Sequence, residues 1–375
     1  MNLDWSEEQE VLRDTVRKLC AEASPLDVVR ALEDDPKGVP DALWKQMGEL
    51  GLLGVLVPET FGGSEQTLLE AVIVFEELGR ALAPSPAFES AVMSAGVLNA
   101  AGSDAQKEEW LPKIATGEAI VTPAWMEPQR GFGPDGVALA AKKSGKGFVL
   151  NGTKRFVTFA SVASRLLVLA RTGKKPENVS LFLVDPQSDG VSMRQLKSLA
   201  SDTQYEVSFE NVKVPGDALV GAANGGWGIW DTAMHDGIIV LAAQAMGGCE
   251  RALEITVQYA KDRKQFDKPI GAFQAISHYL ADAITQLDGG KTLVYEAATA
   301  RAQGKDVRRL APMAKLFACQ TYRDATAMCQ QVWGGVGFTI EYDIQLYFRR
   351  AKQLQLTWWD TRHLEELIAT DVLDR

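Results

Sequence analysis

Apolar residues recur along this chain with two different periods, and the changes of period divide it into three stretches. Over the first ~120 residues the spacing is helical. Ser6-Glu7-Glu8 precedes a run in which Val11, Leu12, Val16 and Leu19 share one face, with acidic side chains near the start, where a helix favours negative charge. Leu68 to Leu82 (LLEAVIVFEELGRAL) predicts a more apolar helix, central to an amino-terminal bundle and ended by Pro84 and Pro86.

Beyond residue 121 the period shortens. Phe148 to Leu150, Leu166 to Ala170, Val179 to Val184 and Tyr205 to Phe209 are short strand-like runs bounded by Gly, Asn, Asp, Pro and Lys. No long helix intervenes to build βαβ units, so the spacing predicts an antiparallel sandwich or barrel, closed by Asn211 to Pro215. After Gly225-Gly226 the helical period returns. Leu241, Ala245, Cys249, Leu253 and Val257 form a buried stripe, and helices continue to the carboxyl end except at Gly334-Gly335-Val336-Gly337. The expectation is a mostly helical α+β chain with a helical domain at 1–120, a β domain at 121–225 and a helical bundle at 226–375.

Composition narrows the class. The 375 residues suit two or three domains, and 46% hydrophobic with 23% charged residues is ordinary for a soluble protein. A net charge of -10 argues against a nucleic-acid partner, which requires a positive footprint. The amino terminus lacks a basic region followed by an apolar run, and no run of eighteen apolar residues exists, so a cytoplasmic protein without a membrane partner is expected. The four cysteines are dispersed in apolar, helix-like segments and read as buried thiols. His235, His278 and His363 are isolated in sequence, which disfavours a metal site, and the absence of GxSxG disfavours a serine hydrolase.

Two segments carry chemistry. Tyr259 to Asp282 (YAKDRKQFDKPIGAFQAISHYLAD) joins a helix ending at Asp262-Arg263-Lys264 to a Pro-Ile-Gly turn and a second helix opening at Phe273-Gln274. Arg263 either grips an anion through its planar fork or is merely the solvated end of a helical hairpin. Gln331 to Phe338 has three glycines within four residues where a helix cap explains one, which points to close approach of a ligand to the backbone. Gly131 to Gly136 matches GxGxxG, but Pro134-Asp135 sits inside it and no clear helix follows, so it reads as a loop.

Together these motifs resemble the acyl-CoA dehydrogenase family. YAKDRKQFDKPIGAFQAISHYLAD and QVWGGVGFTIEYDIQLYFRRAK are similar to its two carboxyl-terminal signatures, and FEELGRALAPSP and NGTKRFVTFA to its other landmarks. The likeness spans essentially the whole chain. It implies the helical, β, helical fold, FAD shared between neighbouring subunits, and α,β-desaturation of an acyl-CoA thioester with electrons passed to an acceptor. Carried over by position, Arg263, Gln265, Phe266 and Gln274, with Gln331, Gly334 and Gly335, match a grip on the pyrophosphate and adenosine of a neighbour's FAD. Phe156 and Thr158 match the flavin wall.

The pattern breaks at the base. Where the family has a Glu this chain has Trp358, and at the alternative position it has Gly237; neither can accept a proton. Asp236, adjacent on the same helix, is a weak candidate catalytic residue, and Asp360 a weaker one displaced by two positions. Met126-Glu127-Pro128 and Gly131-Phe132-Gly133 also replace hydroxyl-bearing segments expected near the flavin. Losses therefore concentrate on the flavin side while the adenosine grip is intact. That asymmetry implies one subunit of a heteromeric acyl-CoA dehydrogenase, as in bacterial enzymes of steroid side-chain degradation, whose paralogous partner supplies the Glu. The alternatives are a self-sufficient homo-oligomer with an unusual base and a non-catalytic assembly subunit.

Overall fold

A computed structural model describes residues 5–373. Helices α1 (Glu7–Ala23), α2 (Leu26–Ala31), α3 (Asp41–Glu49), α4 (Leu68–Arg80), α5 (Ala95–Ala101) and α6 (Asp104–Ala115) come first. Strands β1 (Val121–Ala124), β2 (Ala140–Ser144), β3 (Gly147–Thr158), β4 (Arg165–Arg171), β5 (Val179–Val184), β6 (Val191–Leu196), β7 (Gln204–Val214) and β8 (Leu219–Val220) follow. The last stretch comprises α7 (Gly226–Asp262), a hairpin of β9 (Lys264–Gln265) and β10 (Lys268–Pro269), and helices α8 (Gln274–Ala302), α9 (Leu310–Trp333), α10 (Ile344–Leu356) and α11 (Thr361–Leu373).

Packing divides the chain into two units that do not follow chain order. One contains the described residues up to Arg30, Thr67–Ala83 and everything from Ile238 on; the other contains Ala31–Gln66 and Pro84–Gly237. In the first unit, α1 starts from a capping box in which Ser6 and Gln9 satisfy each other's backbone N–H. Its buried stripe is Val16, Leu19, Cys20 and Ala23, and Val11, expected on that face, is 66% exposed because it lies about 130° off the centre of the stripe. Helix α4 packs on α1, as expected for an amino-terminal bundle, and also on the carboxyl-terminal helix α8. A small residue lets α7 come close to it as well: a Cβ on Gly247 of α7 would lie 1.8 Å from the Glu76 carbonyl oxygen. Buried carboxylates on α4 are neutralised from the helices around it. Arg17 forks onto Glu77 at 2.7 and 2.9 Å, while Glu76 takes Lys291 at 2.7 Å and the Tyr295 hydroxyl at 2.6 Å.

The second unit is built on an eight-stranded sheet ordered β6-β7-β3-β2-β4-β5-β8, with β1 alongside β4. The sheet is mixed and not antiparallel as expected, since β4 runs parallel to both β1 and β2. The reason is connectivity: the β2–β3 hairpin is inserted between β1 and β4, a crossover long enough to return the chain in the same direction. β4 and β5 are buried almost throughout, so both their faces are covered. β3 carries two register shifts against β7, and the second, between Lys154 and Val157, leaves Phe156 at φ 58° and half exposed.

Under this sheet, Lys154 is fully buried with its Nζ 2.7 Å from Glu127 Oε1 and 3.0 Å from the Trp125 carbonyl oxygen. The same Glu127 oxygen accepts the N–H groups of Ala138 and Leu139, both at 2.9 Å. Burial pulls the Lys154 ammonium down to about 8 while Glu127 opposes the fall. Breaking such a pair strands a charge in the interior. Glu127→Ala is expected to cost about 3–5 kcal/mol in chemical denaturation; a loss below about 1 kcal/mol, the range of exposed pairs, would contradict this assignment.

Candidate functional site

The residues of the expected anion grip meet at one end of the first unit. Tyr259, one turn before the end of α7, stacks on Trp333 at the end of α9 with ring centroids 4.1 Å apart, and Trp333 Nε1 donates to Thr256 Oγ1 at 3.1 Å. This joins the ends of the two helices that carry the motifs. Beyond Tyr259 the chain enters the β9–β10 hairpin, whose two turn residues, Phe266 and Asp267, both have positive φ. That turn follows the twist of the strands but is unfavourable for side chains with a Cβ. The hairpin lifts Phe266 to 87% exposure, edge-on to Phe273. Arg263 and Gln265 are exposed at its base, and Gln274 is exposed as the first residue of α8.

Gln331 is exposed on the last turn of α9. Gly334 ends that helix at φ 65° and ψ −143°, a conformation available essentially to glycine alone. A Cβ on Gly334 or Gly335 would meet nothing within 4 Å, so this backbone is open to an approaching group. Gly337, by contrast, is packed on Trp333. Of the three glycines, one therefore serves packing and two leave access.

The remaining expected site residues lie elsewhere. Phe156 and Thr158 are in the second unit on β3, Phe156 turned outward by the bulge. Asp236 is half-buried on α7 directly before Gly237. A Cβ on Gly237 would lie 2.5 Å from Met93 Sδ and 3.2 Å from Phe88 Cζ, so apolar groups fill the space a side chain would need. Trp358 and Trp359 are consecutive residues at φ 54° and 72°. Fully buried Lys315 holds this turn, donating to the Thr357 and Trp359 carbonyl oxygens at 2.6 and 2.7 Å, with burial lowering its ammonium to about 8. Asp360 Oδ1 accepts the His363 N–H at 2.9 Å at the start of α11, an N-capping role that accounts for this carboxylate. The GxGxxG segment is a short 3-10 turn leading into β2, as a loop reading requires.

One ionisable group escaped the sequence reading. Glu89 is on a π-helical segment, Phe88–Ser94, clamped to β1 by Ser90 Oγ accepting the Val121 N–H and Ser94 Oγ donating to the Val121 carbonyl. Thr158 Oγ1 donates to Glu89 Oε1 at 2.7 Å, while Oε2 is buried without a hydrogen-bond partner. Burial pushes the carboxyl up to about 7, partly offset by the Thr158 bond and reinforced by Asp202. The available signal was a single Glu within the apolar run Ala87 to Leu98.

Family models of the acyl-CoA dehydrogenase N-terminal, middle and C-terminal domains match residues 6–118, 122–212 and 224–357. An acyl-CoA dehydrogenase of Bacillus subtilis (strain 168) is 32% identical over 378 residues, covering 98% of each chain. This chain belongs to the acyl-CoA dehydrogenase family. Among solved structures, butyryl-CoA dehydrogenase from Megasphaera elsdenii superposes with a TM-score of 0.92 at 27% identity, covering 100% of both chains. The ChsE4-ChsE5 complex from Mycobacterium tuberculosis gives 0.91 at 26% identity, again with 100% of both chains covered.

As an acyl-CoA dehydrogenase the chain has the family's three-part fold and is a FAD flavoprotein oxidising CH–CH bonds. The first unit fits that cofactor: Arg263 is an exposed guanidinium, and Gly334-Gly335 offer backbone a bulky group can approach. Trp358 and Gly237 carry no carboxylate, and Glu89 is a buried acid with a near-neutral value. Because that value lies above 4.5, the figure for an unfolded chain, Glu89's contribution to stability is complete below pH 4.5 and lost as pH rises through about 7. Wild type should therefore lose about 3 kcal/mol relative to Glu89→Gln between pH 5 and pH 8 in denaturant titrations. Parallel pH profiles for the two proteins would contradict this.

Proposed function

We propose that this chain is one cytoplasmic subunit of a heteromeric, FAD-dependent acyl-CoA dehydrogenase, and that it grips the pyrophosphate and adenosine of a FAD whose reactive ring sits in a paralogous partner. What supports the reading is the exposure of Arg263, Phe266 and the Gly334-Gly335 backbone, combined with the lack of a carboxylate at Trp358 and Gly237. Trp358 and Gly237 have no proton-accepting group, and Met93 and Phe88 occupy the space beside Gly237. The likeness to a two-chain complex from Mycobacterium tuberculosis supports a paired arrangement.

On this reading each grip residue has a distinct task. Arg263 would pair with pyrophosphate oxygens through parallel N–H bonds. Phe266, raised on the hairpin, would lie against the adenosine, with Gln265, Gln274 and Gln331 supplying hydrogen bonds. Gly334 and Gly335 would admit the cofactor to the backbone. FAD held by these residues would supply a hydride acceptor for the β-hydrogen of an acyl-CoA thioester, while a Glu of the paralogous partner would take the α-proton. An acceptor protein would take the electrons. The three-domain division of the chain, 1–120, 121–225 and 226–375, belongs to the same proposal.

Purification of the chain alone, and together with a paralogue that carries Glu at either base position, tests the reading. Alone it should hold little FAD and desaturate acyl-CoA thioesters at least about a thousandfold more slowly than the pair, the scale of losing a general base. Full FAD occupancy with undiminished turnover by the chain alone would overturn it.

A further inference from the structure

The hairpin after α7 carries a cation that the grip described above does not use. Lys268 lies on β10, and its ammonium stands 4.2 Å from the centre of the Phe273 ring. Phe266, in the hairpin turn, packs edge-on to the same ring with centroids 6.1 Å apart. Lys268 is therefore tied to an aromatic pair at the start of α8. Register decides which cations can act together. Directly opposite residues of an antiparallel pair project to one side, and successive pairs alternate. Lys268 is opposite Gln265, so these two share a face, while Lys264 is opposite Pro269 and takes the other. Arg263 precedes Gln265 by two residues, and its carbonyl oxygen accepts the Ile270 N–H at 2.8 Å, which continues the ladder and puts Arg263 on the Gln265 face. Lys264, adjacent to Arg263 in sequence, is thus turned away from it. Lys268 is the cation that shares its face.

We propose that Lys268 is a second cation of the pyrophosphate site, supplying with Arg263 the charge that a dinucleotide requires. This rests on the FAD-grip reading above and adds a residue to it. Each phosphate of a dinucleotide carries a negative charge, and Arg263 alone balances one of them. Among the described residues no ion pair ties Arg263 or Lys268 to a carboxylate, and the nearby Asp262 accepts from Gln258 Nε2 at 2.9 Å. The corner itself is electropositive. Helix α8 begins here, with Phe273 as its N-cap residue, without a side-chain cap and with no acidic residue in its first turn. A helix start favours an anion, so an ammonium held near it is unfavourable unless a negative group lies between them. A pyrophosphate meets both. The two cations have different tasks: the planar guanidinium forks onto oxygens in a fixed geometry, whereas the ammonium is a point charge on a flexible stem. Arg263 sets the orientation of the pyrophosphate, and Lys268 adds attraction.

The test is equilibrium titration of FAD, and of ADP as a probe without the flavin ring, into the apo form of the assembled enzyme. Wild type is compared with Lys268→Met, Lys268→Arg, Lys264→Met and Arg263→Ala. Lys268→Met should weaken both ligands roughly tenfold, and its affinity should fall less steeply with added salt than that of wild type. Lys268→Arg, which keeps the charge, should stay within about threefold of wild type. Lys264→Met removes the same charge from the opposite face and should change affinity by less than about twofold. Should Lys268→Met fail to assemble, Lys268→Gln, polar and uncharged, carries the same expectation. Equal losses in Lys268→Met and Lys264→Met, an unaltered salt dependence, or weakened FAD with unchanged ADP would overturn the assignment. So would unchanged affinity in Lys268→Met while Arg263→Ala is weakened, which leaves the grip reading standing. Unchanged affinity in both variants would overturn the grip reading along with it.

Discussion

The stack of Tyr259 on Trp333 is the contact that joins the two helix ends carrying Arg263 and the glycine run. Aromatic pairs of this kind contribute roughly 0.5–1.5 kcal/mol beyond the area they bury, which is modest beside the cost of unfolding a helical bundle. Its importance is geometric. With ring centroids 4.1 Å apart and Trp333 Nε1 tied to Thr256, the ends of α7 and α9 cannot drift, and everything that follows them in sequence starts from a fixed place. The hairpin bearing Phe266 and the glycines at 334 and 335 are therefore presented together. A cofactor with two phosphates and an aromatic base needs a cation, an apolar surface and exposed backbone in one region, and separate loops would have to be ordered at entropic cost to supply them.

Ionisable groups elsewhere in the molecule are mostly spoken for. Lys154 and Glu127 satisfy each other beneath the sheet, Glu76 and Glu77 are neutralised around α4, Lys315 is spent on two carbonyl oxygens and Asp360 on a helix cap. Against this background the carboxyl of Glu89 stands out, because one of its oxygens is buried without a partner. The turn at Trp358-Trp359 is equally telling. Two bulky residues at positive φ are held by a fully buried lysine, which makes this turn a braced structural corner.

Much of the fold was legible because long helices and buried strands impose clear periods. The expected stripe is buried in α7 from Leu241 to Leu253, with Val257 only half-buried, and the four strand-like runs fall within β3, β4, β5 and β7. Short elements were not legible: β1 is four residues with a proline in it, and β8 is two. Nor was the parallel pairing, which depends on where an inserted hairpin sends the chain and not on the composition of any strand. At the site, Arg263 and the glycine run were conspicuous from residue type and spacing. Glu89 was not, because a lone carboxylate in an apolar stretch differs from a solvated one only through contacts made far along the chain, here with Thr158.

The claim on which the account turns is that this chain's exposed guanidinium holds a flavin dinucleotide. FAD titration into the apo form of the assembled enzyme, with wild-type chain and with Arg263→Ala, measures it directly. Loss of a charge-assisted bond to pyrophosphate should weaken FAD binding roughly ten- to hundredfold. An unchanged dissociation constant would contradict the account.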